Sequence, residues 1–193
     1  MTKLSSLLSL LSSRVKLVVF MNLFFFGGVF VTALMLGFLL PPQLYEGPPA
    51  QFSATVSGSL ILTVLSIFVF NLIVGSFIVV ALPGFVLFPL SAALLVFRAF
   101  IWGALIYQLP NWVFLIALPT LIFEGEGYVF AAVAGTLVGI SWVKPEWVYP
   151  GEGVSRNVSL RKAFRECAWF YVLVAAMLFV AAVVETATLI LIR

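Results

Sequence analysis

The sequence predicts an all-α fold, a polytopic transmembrane helical bundle, and three observations predict it. Of 193 residues, 64% are hydrophobic and 9% charged, with a mean hydropathy of +1.24, whereas a soluble domain carries roughly 25% charged residues. Between Lys16 and Lys144 the only charges are Glu46, Arg98, Glu124 and Glu126. Long apolar runs alternate with short connections rich in Pro and Gly. At about 20 residues per span, the chain holds five or six spans and leaves no room for a separate soluble domain.

The elements follow in chain order. Residues 1–16 read as an amphipathic interfacial helix, with Leu4, Leu7, Leu8 and Leu11 on one face and serines on the other; no cleavage site follows, so a signal peptide is not indicated. Residues 17–193 form a single transmembrane domain. Its first span runs over 17–40 and ends at Pro41-Pro42, and a polar loop with Glu46 and Pro48-Pro49 follows. The second span covers 59–81 and Pro83-Gly84 turns it into the third, 85–107. Residues 112–143 are interrupted by Pro119 and by Glu124-Gly-Glu126-Gly127, so neither half reaches span length. They read as a broken or re-entrant helix, tolerated only where protein or water satisfies the freed backbone groups. An interfacial loop over 144–165 leads into the last span, 167–192. This makes six hydrophobic segments in all.

Charge orients them. Lys3, Arg14 and Lys16 place the N-terminus in the cytoplasm, and Arg156, Arg161, Lys162 and Arg165 ask for the same side. An even number of crossings must separate the two groups, so 112–143 crosses once and the six segments make five crossings. Trp112, Trp142, Trp147 and Trp169 sit near the span ends, where interfacial anchors belong.

The chain contains no histidine, no aspartate and one cysteine, Cys167. A zinc site, a histidine-ligated haem, a His-dependent triad and an internal disulfide are therefore excluded. The sequence points to no enzyme, no catalytic residue, no metal and no cofactor. The basic residues flank apolar spans, which reads as membrane orientation and not nucleic-acid binding. Cys167 reads as an inert small residue, at a juxtamembrane position where palmitoylation is chemically open.

A charge in a bilayer costs at least about 2.5 kcal/mol and normally faces a protein interior, a partner or water. Arg98, Glu124, Glu126, Glu185 and Asn71 are accordingly the candidate intramembrane polar cluster. Two readings stand side by side: a wet cavity or conduction site at a broken helix, or a buried Arg–Glu cluster that fixes helix register, leaving three acids against one base. Asn22 and Asn71 suit interhelical hydrogen bonds. Gly135 and Gly139, with Ala131, Ala132 and Ala134, form a small-residue face for helix packing within the chain or at a dimer seam.

Phe70-Asn71-Leu72, Leu118-Pro119 with Ile122-Phe123-Glu124, Ala134-Gly135 and Ala181-Ala-Val-Val-Glu185 follow one another in an order that resembles the stage II sporulation protein M family. The resemblance covers about residues 60–190. Thr120 and Leu121 stand where the family has His-Gly, Gly125-Glu126-Gly127 replaces an apolar continuation, and Arg98 falls near a common Asn-Gly. It implies that Asn71, Glu124 and Glu185 are the matching polar positions. It also implies a multi-pass protein of the prokaryotic cell membrane, a scaffold working with other membrane proteins; sporulation itself is not implied, because many relatives occur in organisms that make no spores. The expected function is a non-enzymatic membrane scaffold or accessory subunit of a membrane protein complex, in the lipid bilayer with other membrane proteins, and a homo-oligomer is compatible with it. The alternative is a small transporter, permease subunit or ion pathway using the intramembrane glutamates.

Overall fold

The computed structural model describes residues 3–40 and 59–192; the loop expected around Glu46 and Pro48-Pro49 lies outside them. Among the described residues the elements are α1 (Lys3–Leu39), α2 (Leu60–Val86), α3 (Pro89–Gln108), α4 (Asn111–Val143), a short α5 (Pro145–Val148) and α6 (Arg156–Ile192). Five of them, all but α5, are long and apolar enough to cross a membrane. Their number equals the five crossings inferred from charge, although they are five continuous helices and not six pieces.

Helix α1 has no proline between Lys3 and Leu39 and runs unbroken, so the segment 3–16 is its beginning and not a separate element. Leu10 and Leu11 pack against the core, while Leu8 is exposed. The seam with α3 is built from small residues. A Cβ placed on Gly28 would come within 2.9 Å of Ala99 Cβ, and one on Gly103 within 2.7 Å of the Val29 carbonyl oxygen. Close backbone approach of this kind is what membrane helices use where no hydrophobic effect draws them together.

Helix α2 widens to π-helical hydrogen bonding over Phe70–Ala81 before closing again as α-helix at Leu82–Val86. Pro83 therefore lies inside the helix end, and the turn into α3 falls later, at extended Leu87. That corrects the turn expected at Pro83-Gly84. The physical reason is that Pro83 sits at the start of the closing α-helical segment, where a missing N–H is tolerated. Ser91 of α3, fully buried, donates to the Val80 carbonyl at 2.8 Å and ties the hairpin. Pro89 opens α3, and the residue before Pro110 adopts extended backbone, which ends it.

The largest departure is α4. Residues 112–143 are neither broken nor re-entrant: Asn111–Val143 is one continuous helix with Pro119 inside it. Pro119 deprives the Leu115 carbonyl of its donor, and next to that position Thr188 of α6 reaches the Ile116 carbonyl at 3.4 Å, the kind of side-chain support that tolerates proline within a membrane. Gly125 and Gly127 act as flat places for neighbours. A Cβ on Gly125 would lie 2.5 Å from Phe25 Cε1, and one on Gly127 2.7 Å from Leu178 Cδ2. Each glycine weakens a helix by about 1 kcal/mol relative to alanine; buried packing on both sides offsets that cost. Helix α4 is the central element, most extensively packed on α6, and from Tyr128 to Gly139 it is buried without interruption.

Gly135 and Gly139 lie where α4 crosses the α2–α3 turn. A Cβ on Gly135 would meet the Ala81 carbonyl oxygen at 2.6 Å, and one on Gly139 would meet Phe88 Cβ at 2.9 Å. Cys167 is buried in the same core.

Candidate functional site: an intramembrane ionic cluster and its cavity

Because α4 is continuous, Glu124 and Glu126 are separated by about 200° around its axis and point to opposite sides. Glu124 turns toward α2 and α3 and is 5% exposed. Glu126 turns toward α1, where it faces the Asn22 side chain. Asn22 donates to its own helix, at the Val18 carbonyl, 3.2 Å away. The two acids therefore belong to different environments, and Glu126 stands apart from the cluster expected around Arg98.

One turn beyond Glu124 on the same face is Tyr128, with no exposed surface. Its phenol oxygen lies 2.5 Å from Glu124 Oε1 and 3.1 Å from Asn71 Oδ1. Having a single proton, it can donate to only one of them at a time. Arg98 comes from α3, its Nη2 donating to the Tyr128 oxygen and lying 3.5 Å from Glu124 Oε1. The guanidinium carbon sits 3.9 Å from the centre of the Tyr128 ring, a cation–π contact in a desolvated place. Three helices are thus joined through one phenol.

Helix α2 admits this arrangement at Gly75, one turn on from Asn71. A Cβ there would come 3.0 Å from the Tyr128 oxygen and 3.2 Å from Arg98 Nη2, so a side chain would push the cluster apart. Both residues belong to the π-helical stretch, a rare geometry that recurs at functional sites.

Beside the cluster is a cavity of about 490 Å³, lined by Ser66, Ile67, Phe70 and Asn71 of α2, Arg98, Ile101, Trp102 and Leu105 of α3, Glu124 of α4 and Glu185 of α6. Counting about 1.5 Å per residue from the helix ends, Asn71, Arg98, Glu124 and Glu185 lie about 10–20 Å from the same end of the bundle. That end is opposite the basic loop. Arg98, Glu124, Asn71 and Glu185 are therefore gathered around one cavity.

The sequence motifs meet in this site. Asn71 faces the Glu124–Tyr128 turn, Glu124 follows Pro119 on one continuous helix, and Glu185 closes the cavity from the Ala-rich last helix. The family model described as stage II sporulation protein M matches residues 16–188. The chain belongs to the stage II sporulation protein M family. The match reaches α1, beyond the stretch over which individual motifs were recognisable, and makes the chain a family member along most of its length. No curated protein and no solved structure matches it. Tyr128 and Gly75 are the site residues that sequence reasoning missed in this family member. The signals were present, since Tyr128 is four residues from Glu124 and Gly75 four from Asn71, but an assumed helix break hid the first.

A second polar group joins the opposite end of the bundle. Arg14 of α1 forks onto Glu166 of α6, Nε to Oε2 at 2.9 Å and Nη2 to Oε1 at 3.0 Å, while its Nη1 donates to the Val148 carbonyl at 2.8 Å. Tyr149 donates to Glu166 Oε1 at 3.1 Å, and Lys162 pairs with Glu152. Burial, and then the neighbouring Glu166 carboxylate, hold the Tyr149 hydroxyl well above the usual phenol range. This contact brings the two basic segments to the same end of the bundle, the arrangement that the charge rule requires.

Proposed function

We propose that the chain is a non-enzymatic integral membrane scaffold or accessory subunit of a membrane protein complex in a prokaryotic cell membrane, with the basic end facing the cytoplasm. The observation that carries this reading is the ionic cluster. Arg98, Glu124, Tyr128 and Asn71 hydrogen-bond to one another across α2, α3 and α4, an arrangement that supports a register pin. The surface left for recognition is then the apolar flank of long helices, and partners that meet such a flank are other membrane proteins. Affinity purification from native membranes at low detergent, with quantitative mass spectrometry, tests this: stoichiometric membrane-protein companions are expected, and recovery of the chain alone would sink the reading.

A second reading rests on the cavity, which brings Glu124 and Glu185 to a space of small-molecule size. A transporter or permease subunit working there would give proteoliposome flux that falls in Glu124→Gln and is untouched in Glu126→Gln, because Glu126 faces α1. Flux equal to that of empty liposomes removes it.

A further inference from the structure

The cavity carries an imbalance of charge. Its walls hold one base, Arg98, and two acids, Glu124 and Glu185. Glu124 is matched: Arg98 and Tyr128 both reach its Oε1. Glu185 has no ion-pair or hydrogen-bond partner among the described residues, and the wall it shares holds a second carboxylate, Glu124. An unmatched carboxylate inside a membrane protein is costly, and a positive guest lowers that cost.

Size and lining narrow the guest. About 490 Å³ is far more than a bare metal ion occupies and lies within the range of organic ligands. Phe70 and Trp102 stand in the wall with Glu185, and aromatic faces beside a carboxylate favour ammonium groups through cation–π attraction. Arg98, also in the wall, brings a guanidinium whose side chain is 20% exposed. A guest carrying an oxygen close to its nitrogen meets both charged groups.

We propose that this cavity is a binding site for the ammonium group of an amino-alcohol, free or as a lipid headgroup, with Glu185 as its counter-ion and Phe70 and Trp102 as its aromatic wall. This goes beyond the scaffold reading and does not depend on it, since a scaffold with or without companions binds the guest equally.

The test uses the full chain in maltoside micelles and four probes: ethanolamine, ethylene glycol, short-chain phosphatidylethanolamine and short-chain phosphatidylglycerol. The thermal unfolding midpoint is followed by circular dichroism. At least one ammonium probe raises the midpoint saturably while its ammonium-free counterpart does not. Action by ethanolamine identifies a free amine as sufficient; action by the lipid alone identifies a headgroup. Glu185→Gln weakens the apparent affinity by about tenfold or more, and Glu152→Gln, in the distant basic loop, leaves it unchanged. The proposal is overturned if neither ammonium probe acts, if the counterparts act equally, or if Glu185→Gln binds as tightly as the parent. Should Glu185→Gln not fold, the parent chain decides. The active probe then slows total modification of Glu185 by a hydrophobic carbodiimide, read by peptide mass spectrometry, and an unchanged rate overturns the proposal.

Discussion

Replacing Tyr128 by phenylalanine removes one oxygen and keeps the ring, so it isolates what the phenol contributes to holding the helices. The residue has no exposed surface, and the ring would remain packed. Three contacts disappear: the 2.5 Å bond to Glu124, the 3.1 Å contact to Asn71 and the donation from Arg98. The Glu124 bond lies within α4, so its loss acts by leaving a 5% exposed carboxylate with only the 3.5 Å contact to Arg98. Hydrogen bonds to charged groups contribute about 1.5–3 kcal/mol, while interhelical hydrogen bonds in membranes average about 0.6 kcal/mol and reach about 1.7. Because the single phenol proton serves Glu124 or Asn71 but not both, the loss amounts to one charged bond and one interhelical bond from Arg98, about 2–4 kcal/mol. Reversible unfolding in mixed detergent micelles measures it, combined with Arg98→Met in a double-mutant cycle. The two substitutions share a partner and are expected to couple by about 1 kcal/mol or more. A Tyr128→Phe effect below about 0.5 kcal/mol, or additivity within that margin, would refute the claim that the phenol joins the three helices.

Gly135→Ala places a Cβ 2.6 Å from the Ala81 carbonyl oxygen and is expected to destabilise by about 1–3 kcal/mol through overpacking; Gly37→Ala, where nothing lies within 4 Å, is expected to stabilise by up to about 1 kcal/mol. The same unfolding assay compares them, and equal effects would contradict the packing described. Arg14→Gln removes a fork whose side chains are 16% and 19% exposed and should cost about 1–2 kcal/mol, with faster amide exchange in 144–152 than in the parent; unchanged exchange there would argue against the latch. Tyr149 keeps its proton in the folded state beyond its ordinary value of 10.0. The unfolded chain then binds fewer protons above that pH, so stability falls as pH rises past about 10. Tyr149→Phe should flatten that fall by up to one proton, as read from unfolding midpoints between pH 9 and 11, and an identical slope would count against it.

Hydropathy made the five candidate spans legible because membrane length is a hard constraint, and asking both basic segments to share one side led to an odd number of them. Local punctuation was less dependable. Pro119 and Gly125-Glu126-Gly127 carry every ordinary sign of a break, yet Phe25 and Leu178 press against the two glycines and Thr188 supports the proline turn. Tertiary packing of that kind leaves no local trace in the sequence. The cost of intramembrane charge identified Arg98, Glu124 and Glu185, and helix periodicity, once continuity is granted, separates Glu126 from them. Arg14 and Glu166 lie 152 positions apart in basic surroundings, where no spacing rule pairs them.

The fork between Arg14 and Glu166 also bears on how the molecule is made. Its two halves belong to the first and last helices, so the carboxylate that receives Arg14 emerges from synthesis only after α2, α3 and α4. Until then Arg14 lacks this partner, and the cavity lacks the wall supplied by Glu185. Both ends of the bundle are completed by the same final helix. Arrival of α6 therefore completes the Arg14–Glu166 fork and the Glu185 wall of the cavity together.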